Sequence, residues 1–278
     1  MGHDPDLTAQ VTELASLPDH EVEPAKSALL IARSEYPNLD EALYLRRLDE
    51  MAARLKSRIP DTATAIERIE QANRLLFVDE GFRGNRVNYY DPRNSFLNDV
   101  LDRKLGIPIT LSIVYIEVGR RAGLPVYGIG FPGHFLIGFL AESGRIFVDP
   151  FNNGRILTEK QCRDLFVAQF GDLRPSSAFL DPVWPKQMLV RLMRNLKAVY
   201  WRTAEELKAF RMIQWILIVD PHAVSELRER ALIYDAMGNS DSAVKDLERY
   251  LELSPEAEDR EDILLMIERL EQNPTRVH

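Results

Sequence analysis

A single cysteine in 278 residues cannot close an internal disulfide or supply a thiolate metal cage. A disulfide-stapled secreted fold and a structural zinc site are therefore disfavoured, and a reducing compartment fits best. Long apolar runs are missing as well. No stretch approaches the roughly 18 residues that a membrane-spanning helix requires, and the opening MGHDPDLTAQ has no basic, apolar leader. The expectation is a cytoplasmic protein that is neither exported nor embedded. A basic excess is also absent: 35 Lys and Arg face 43 Asp and Glu, a net charge of −8. Neutralising phosphates needs a basic face, so direct nucleic-acid binding is disfavoured. No Gly-rich phosphate loop and no His, Cys or Asp cluster with metal-ligand spacing occurs, which leaves nucleotide, metal and other cofactor dependence without support. What is present, with 45% hydrophobic residues, is the composition of a folded protein with room for two or three compact units.

The charge is unevenly distributed. Residues 1–80 carry 9 basic and 16 acidic side chains, residues 81–182 carry 12 and 10, and residues 183–278 carry 14 and 17. Only the middle escapes the acidic excess. The first 21 residues are polar without a sustained period and read as a loosely ordered lead-in. From Pro24 the pattern is helical, with Leu45, Leu48, Ala52, Leu55 and Ile59 on one stripe and a further helix predicted from about Thr62 to Asp79. Pro37 and Pro60 separate these stretches.

The C-terminal third repeats. Pro221 and Pro255 are 34 residues apart, and Ala209 with Ala243, and Tyr200 with Tyr234, recur at the same offset. Gly238 falls where a two-helix repeat turns tightly, and Ala204 stands at the matching position of the first copy. That period is the one of the tetratricopeptide repeat (TPR), in which small residues let paired helices approach and a Pro closes the second helix. DREDILLMIERLEQ would cap the stack.

The middle segment differs from both flanks. NRVNYYDPRNSFL is turn-rich, Pro108 suits the first turn of a helix that ends at Gly123-Leu124-Pro125, and three strand-like runs follow: LPVYGIGF, HFLIGFLA and RIFVDPF. Turns at Pro132-Gly133 and Ser143-Gly144 make an antiparallel meander the simplest topology. Asn94 and Ser95 in the turn-rich segment are candidate pocket residues, although an Asn in a turn commonly bonds its own backbone. Asn152-Asn153-Gly154 reads as a tight turn.

A helix followed by three strands, with His134 opening the second and Asp149-Pro150 closing the third, resembles the transglutaminase-like core of the papain-type superfamily. The resemblance implies that Asp149 orients the His134 imidazole while its other nitrogen acts as base toward a nucleophile. In that family a Cys opens the helix, and the usual spacing back from Gly123 lands on Pro108. The one Cys, Cys162, stands downstream and reads as a half-buried helix residue. Thr110 and Ser112, with Ser95 just before, are the hydroxyls nearest the helix start, and each needs an aligned base to act. Three roles stand open for His134: acid–base in a recast hydrolase, ligand-binding donor, or structural partner of Asp149. The longer words NYYDPRNSFLNDVLDRKLGIPITLSIVY, GFPGHFLIGF and FVDPFNNGRILT, followed by the 34-residue repeat, resemble the bacterial SirB-type family, which joins a transglutaminase-like domain to TPR-like repeats.

The expected fold is α+β: a lead-in over 1–21, N-terminal helices plus a transglutaminase-like domain with an antiparallel sheet over 22–182 (core about 85–160), and a TPR-like helical domain over 183–278. The resemblance implies a protein without the usual catalytic Cys that binds a ligand or a protein partner, the latter through the TPR-like region, with a regulatory role and the character of a pseudoenzyme. The alternative is a hydrolase or acyl-transferase in which His134 and Asp149 activate a Ser or Thr hydroxyl or a water.

Overall fold

The computed structural model describes residues 5–272, other than 143, 172 and 177. Residues 1–4 and Ser143 of the expected Ser143-Gly144 turn therefore lie outside the described residues. The chain divides into two compact units, one of residues 16–192 and one that combines 5–15 with 193–272. The opening corrects the sequence reading, because the supposed loose lead-in contains helix α1 (Pro5–Ser16). Leu7 and Val11 on one face of α1 are buried, and Thr8 Oγ1 accepts a hydrogen bond from Trp215 Nε1 at 3.2 Å. Leu7, Val11 and Leu14 do stand at helical spacing, but one short stripe among polar residues is outweighed by the polar composition of the segment. Packing against residues two hundred positions away is what stabilises this helix.

Within residues 16–192, α2 (Pro24–Ala32) opens on a Pro and is apolar on nearly every side, as a helix enclosed by its neighbours should be. The Asp40 side chain caps α3 (Glu41–Arg58), whose Leu48, Met51, Ala52 and Leu55 are buried. A reciprocal Thr64–Glu67 capping box starts α4 (Ala65–Asn73), which continues as a π-helical segment, Arg74–Asp79. A short parallel pair, β1 (Arg83–Gly84) with β2 (Leu105–Gly106), brackets α5 (Leu97–Arg103). Next comes α6 (Pro108–Arg121), buried continuously from Pro108 to Gly119. Its Gly119 permits close approach to the sheet, since a Cβ there would sit 2.8 Å from Val126 Cγ2.

The sheet consists of β3 (Val126–Ile129), β4 (Leu136–Ala141), β5 (Gly144–Asp149), β6 (Arg155–Leu157) and, after α7 (Glu159–Phe170), β7 (Pro182–Val183). Its order is β6-β5-β4-β3-β7 with antiparallel pairing throughout. The expected three-strand meander forms the centre. The two edge strands escaped the sequence reading because runs of two or three residues carry no alternation.

The C-terminal helices are α8 (Pro185–Arg202), α9 (Glu206–Val219), α10 (Val224–Ala236), α11 (Ser240–Leu253) and α12 (Arg260–Gln272). The repeat persists at the level of single hydrogen bonds. Glu205 N–H donates to Tyr200 O at 2.9 Å, and 34 residues later Asn239 N–H donates to Tyr234 O at 2.8 Å. Ala209 and Ala243 are both fully buried. In the same unit Glu226 is buried against Arg194 and Lys197; burial opposes its charge, but the two cations prevail and draw its carboxyl down to about 2. Among the described residues no helix is long and apolar enough to cross a membrane.

The turns of the two repeats adopt one backbone conformation with different residues: Gly238 has φ +72° and Ala204 φ +57°. A Cβ is strained in this left-handed region by about 1–2 kcal/mol. Replacing Ala204 with Gly is therefore expected to stabilise the chain by ~1 kcal/mol and Gly238→Ala to destabilise it by a similar amount, both read from urea unfolding midpoints.

Candidate functional site

Antiparallel register brings the two candidate residues together. Ile137 pairs with Val148, so the loop just before β4 faces the end of β5, where Asp149 leads into a 3-10 turn, Pro150–Asn152. His134 is held at the other side by a turn in which its N–H donates to Phe131 O at 3.0 Å. Gly133 in that turn has φ +67°, and a Cβ there would collide with Gln169. His134 Nε2 and Asp149 Oδ1 stand 2.8 Å apart. The His134 side chain retains 18% exposure whereas that of Asp149 retains 3%.

Both oxygens of Asp149 are engaged. Besides His134 it accepts the backbone N–H of Asn152 at 3.2 Å and the Asn152 side-chain amide at 2.6 Å. Burial by itself would raise the Asp149 carboxyl, but the His134 and Asn152 hydrogen bonds outweigh it and hold the group below the ordinary aspartate value. An ionised carboxylate at Nε2 fixes the ring proton on that nitrogen. Nδ1 is thus the unclaimed ring nitrogen, and no described residue hydrogen-bonds to it. Phe151, the middle residue of the turn, organises the rim: its ring centroid lies 6.0 Å from those of His134 and of Tyr89, and the Arg86 guanidinium carbon lies 5.1 Å from it. Gly84 makes room for this ring, because a Cβ there would sit 2.6 Å from Phe151 Cδ2.

Pro108, the residue on which the family spacing back from Gly123 lands, is the first residue of α6. Thr110 is fully buried, and its Oγ1 donates to Asn94 O at 2.7 Å and accepts from Ile107 N–H at 3.1 Å, so the hydroxyl locks the helix start. Ser112 is also fully buried, and its Oγ has no hydrogen-bond partner. Asn94 and Ser95 are buried rather than lining an open pocket. Asn94 donates to Asn88 O at 2.7 Å and Tyr89 O at 3.1 Å and accepts from Asn85 Nδ2 at 3.0 Å, which holds the turn-rich segment in shape. Cys162 on α7 is not half-buried but wholly enclosed, packed among Phe131, Leu136, Phe147, Leu157 and Phe166. Burial first, then the charges of Glu159 and Asp149, push its thiol up to about 12, the opposite of a poised nucleophile. Among the described residues no group of three or more His, Cys, Asp or Glu is placed to hold a metal ion.

Sequence reasoning passed over Arg86, Tyr89, Phe151 and Asn152. For Asn152 a signal existed: an Asp followed by Pro and, three residues on, an Asn is the pattern of a carboxylate capping a short turn. Nothing in the sequence linked Arg86 to Phe151, which are 65 positions apart.

Asp149→Asn is expected to cost about 1–3 kcal/mol of stability at neutral pH. Because the folded carboxyl lies below its ordinary value, its stabilisation is complete above the unfolded value of about 4 and is lost as pH falls through the folded value. Denaturation curves of wild type and variant should therefore differ at pH 7 and converge in acid. Native Cys162 is expected to resist a thiol-directed reagent at pH 8 and to react stoichiometrically once the chain is unfolded.

The chain matches the model of the transglutaminase-like superfamily over residues 42–194 and that of the tetratricopeptide repeat over residues 196–268. It is 39% identical over 246 residues to a UPF0162 protein of Xylella fastidiosa (strain Temecula1), covering 87% of this chain and 88% of that one. A UPF0162 protein of Pseudomonas aeruginosa is 31% identical over 230 residues, with 82% and 84% covered. F-box only protein 21 of Mus musculus is 33% identical over 136 residues, which span 46% of this chain and 21% of that protein. No solved structure matches. A buried helix leading into an antiparallel sheet and a 34-residue helical repeat thus agree with the sequence relationships: the chain belongs to the UPF0162 family, with a transglutaminase-like domain followed by tetratricopeptide repeats.

Proposed function

We propose that this protein is a binding protein with a regulatory role, built on a transglutaminase-like domain that has lost its thiol chemistry. The observation that carries this reading is the state of the catalytic constellation. His134 and Asp149 are joined with Nδ1 unclaimed. The thiol of Cys162 and the hydroxyl-bearing residues Thr110, Ser112 and Ser95 are all buried. A partly exposed imidazole beside an aromatic ring and a guanidinium is suited to recognising a polar ligand, whereas a sealed thiol and sealed hydroxyls offer no attacking atom. The TPR unit is the proposed docking surface for a protein partner, and the cytoplasm the proposed location, in keeping with a single Cys and with the SirB-type resemblance. The acidic chain does not favour direct contact with nucleic acid.

The retained His134–Asp149 pair favours one second reading, a hydrolase in which Nδ1 activates a water. Thermal-shift screening of the full chain against a metabolite collection separates the two. Binding predicts a ligand that stabilises wild type but not His134→Gln, together with no labelling by fluorophosphonate or iodoacetamide probes. Turnover of an ester or amide substrate by wild type, abolished in His134→Ala, would establish the hydrolase instead. Cross-linking in native cytoplasm is expected to attach a partner to residues 193–272, and cross-links confined to 16–192 would remove the TPR part of the proposal.

A further inference from the structure

We infer that the face carrying His134 is a carboxylate site, where Arg86 takes the carboxylate of an organic acid or peptide and His134 Nδ1 takes a second polar atom of that ligand. The inference rests on the binding reading of the His134–Asp149 pair and adds the chemical class of what binds there. Arg86 is exposed and forms no ion pair among the described residues. The basic side chains Arg47, Arg54, Arg58 and Arg121, by contrast, each sit against an acidic partner. One guanidinium nitrogen of Arg86 donates to Asn152 Oδ1, and the group lies against the Phe151 ring. Both anchors belong to the turn that Asp149 caps, so Arg86 is fixed in place by the same element that fixes His134.

The spacing suits one small ligand. The Arg86 guanidinium carbon is 5.1 Å and the His134 ring centroid 6.0 Å from the same Phe151 centroid, so the two are at most about 11 Å apart. Asp149, the carboxylate that caps this turn, accepts from His134 and twice from Asn152 and forms no ion pair with Arg86. A single planar guanidinium with most of its five N–H groups unused matches the two oxygens of a carboxylate. The charge of Arg191 also reaches Tyr89 on this rim, so inorganic phosphate is the competing anion that the test includes. Phe151 and Tyr89, edge to face at 6.0 Å, provide apolar surface for the ligand's stem.

The test follows the imidazole signals of the full-length protein carrying ¹⁵N-histidine, with His134→Gln assigning the signals among the five His of the chain. The probes are glutarate, a capped Ala-Glu-Ala peptide, the neutral analogue glutaramide, and inorganic phosphate. Saturable shifts of His134 with glutarate or the peptide are expected, and whichever saturates at lower concentration distinguishes a free acid from a protein segment. Arg86→Gln should weaken that binding at least about tenfold, as loss of a charge-assisted hydrogen bond does, while Arg86→Lys weakens it less. Equal shifts with glutaramide, tighter binding of phosphate, or unchanged affinity in Arg86→Gln would overturn the carboxylate assignment and leave the binding reading intact. If no probe moves the His134 signals the inference falls, and the binding reading is then decided separately by the His134→Gln thermal-shift screen.

Discussion

One buried carboxylate determines the geometry of the transglutaminase-like unit's exposed face. Asp149 ends β5, caps the turn that follows and accepts a hydrogen bond from His134 Nε2, so a strand end, a tight turn and an imidazole are oriented by two oxygen atoms. Leaving such a group buried without partners would cost several kcal/mol, which is why its three hydrogen bonds are obligatory. Phe151 sits inside this capped turn, and through it Tyr89 and Arg86 take up their positions.

A second constraint lies behind that face. Helix α6 is enclosed on every side, and where a nucleophile would open it the chain has a Pro followed by apolar residues and two sealed hydroxyls. Thr110 serves the backbone of Ile107 and Asn94, the work of a helix cap. The thiol of Cys162 is confined by aromatic and aliphatic neighbours and held in its protonated form. The joined His134 and Asp149 therefore stand apart from a helix start whose hydroxyls serve the core.

Much of the fold could be read from residue order. The 34-residue period predicted paired helices, and hydrogen bonds at Tyr200 and Tyr234 repeat at that interval. Alternation and turn residues predicted the three central strands, and prolines marked the starts of α2 and α6. The failures have physical causes. Helix α1 packs on partners distant in sequence and β7 pairs with the distant β3, while β6, although it pairs with the neighbouring β5, is like β7 too short to carry an alternation. Asn94 and Ser95, named as candidate pocket residues, are buried, and the Asn94 amide bonds the backbone of Asn88 and Tyr89, as an Asn in a turn commonly does.

The sequence by itself determined the division into a transglutaminase-like segment and helical repeats, the 15-residue spacing of His134 and Asp149, and the want of a Cys at the helix start. These are local or periodic properties, written in residue type and interval. Only the tertiary structure decided that His134 keeps a free nitrogen, that the hydroxyls of α6 and the thiol of α7 are sealed, and that Arg86 stands over Phe151. Burial and the choice of hydrogen-bond partner depend on which distant segments meet, and that is a property of the folded chain rather than of any stretch of it.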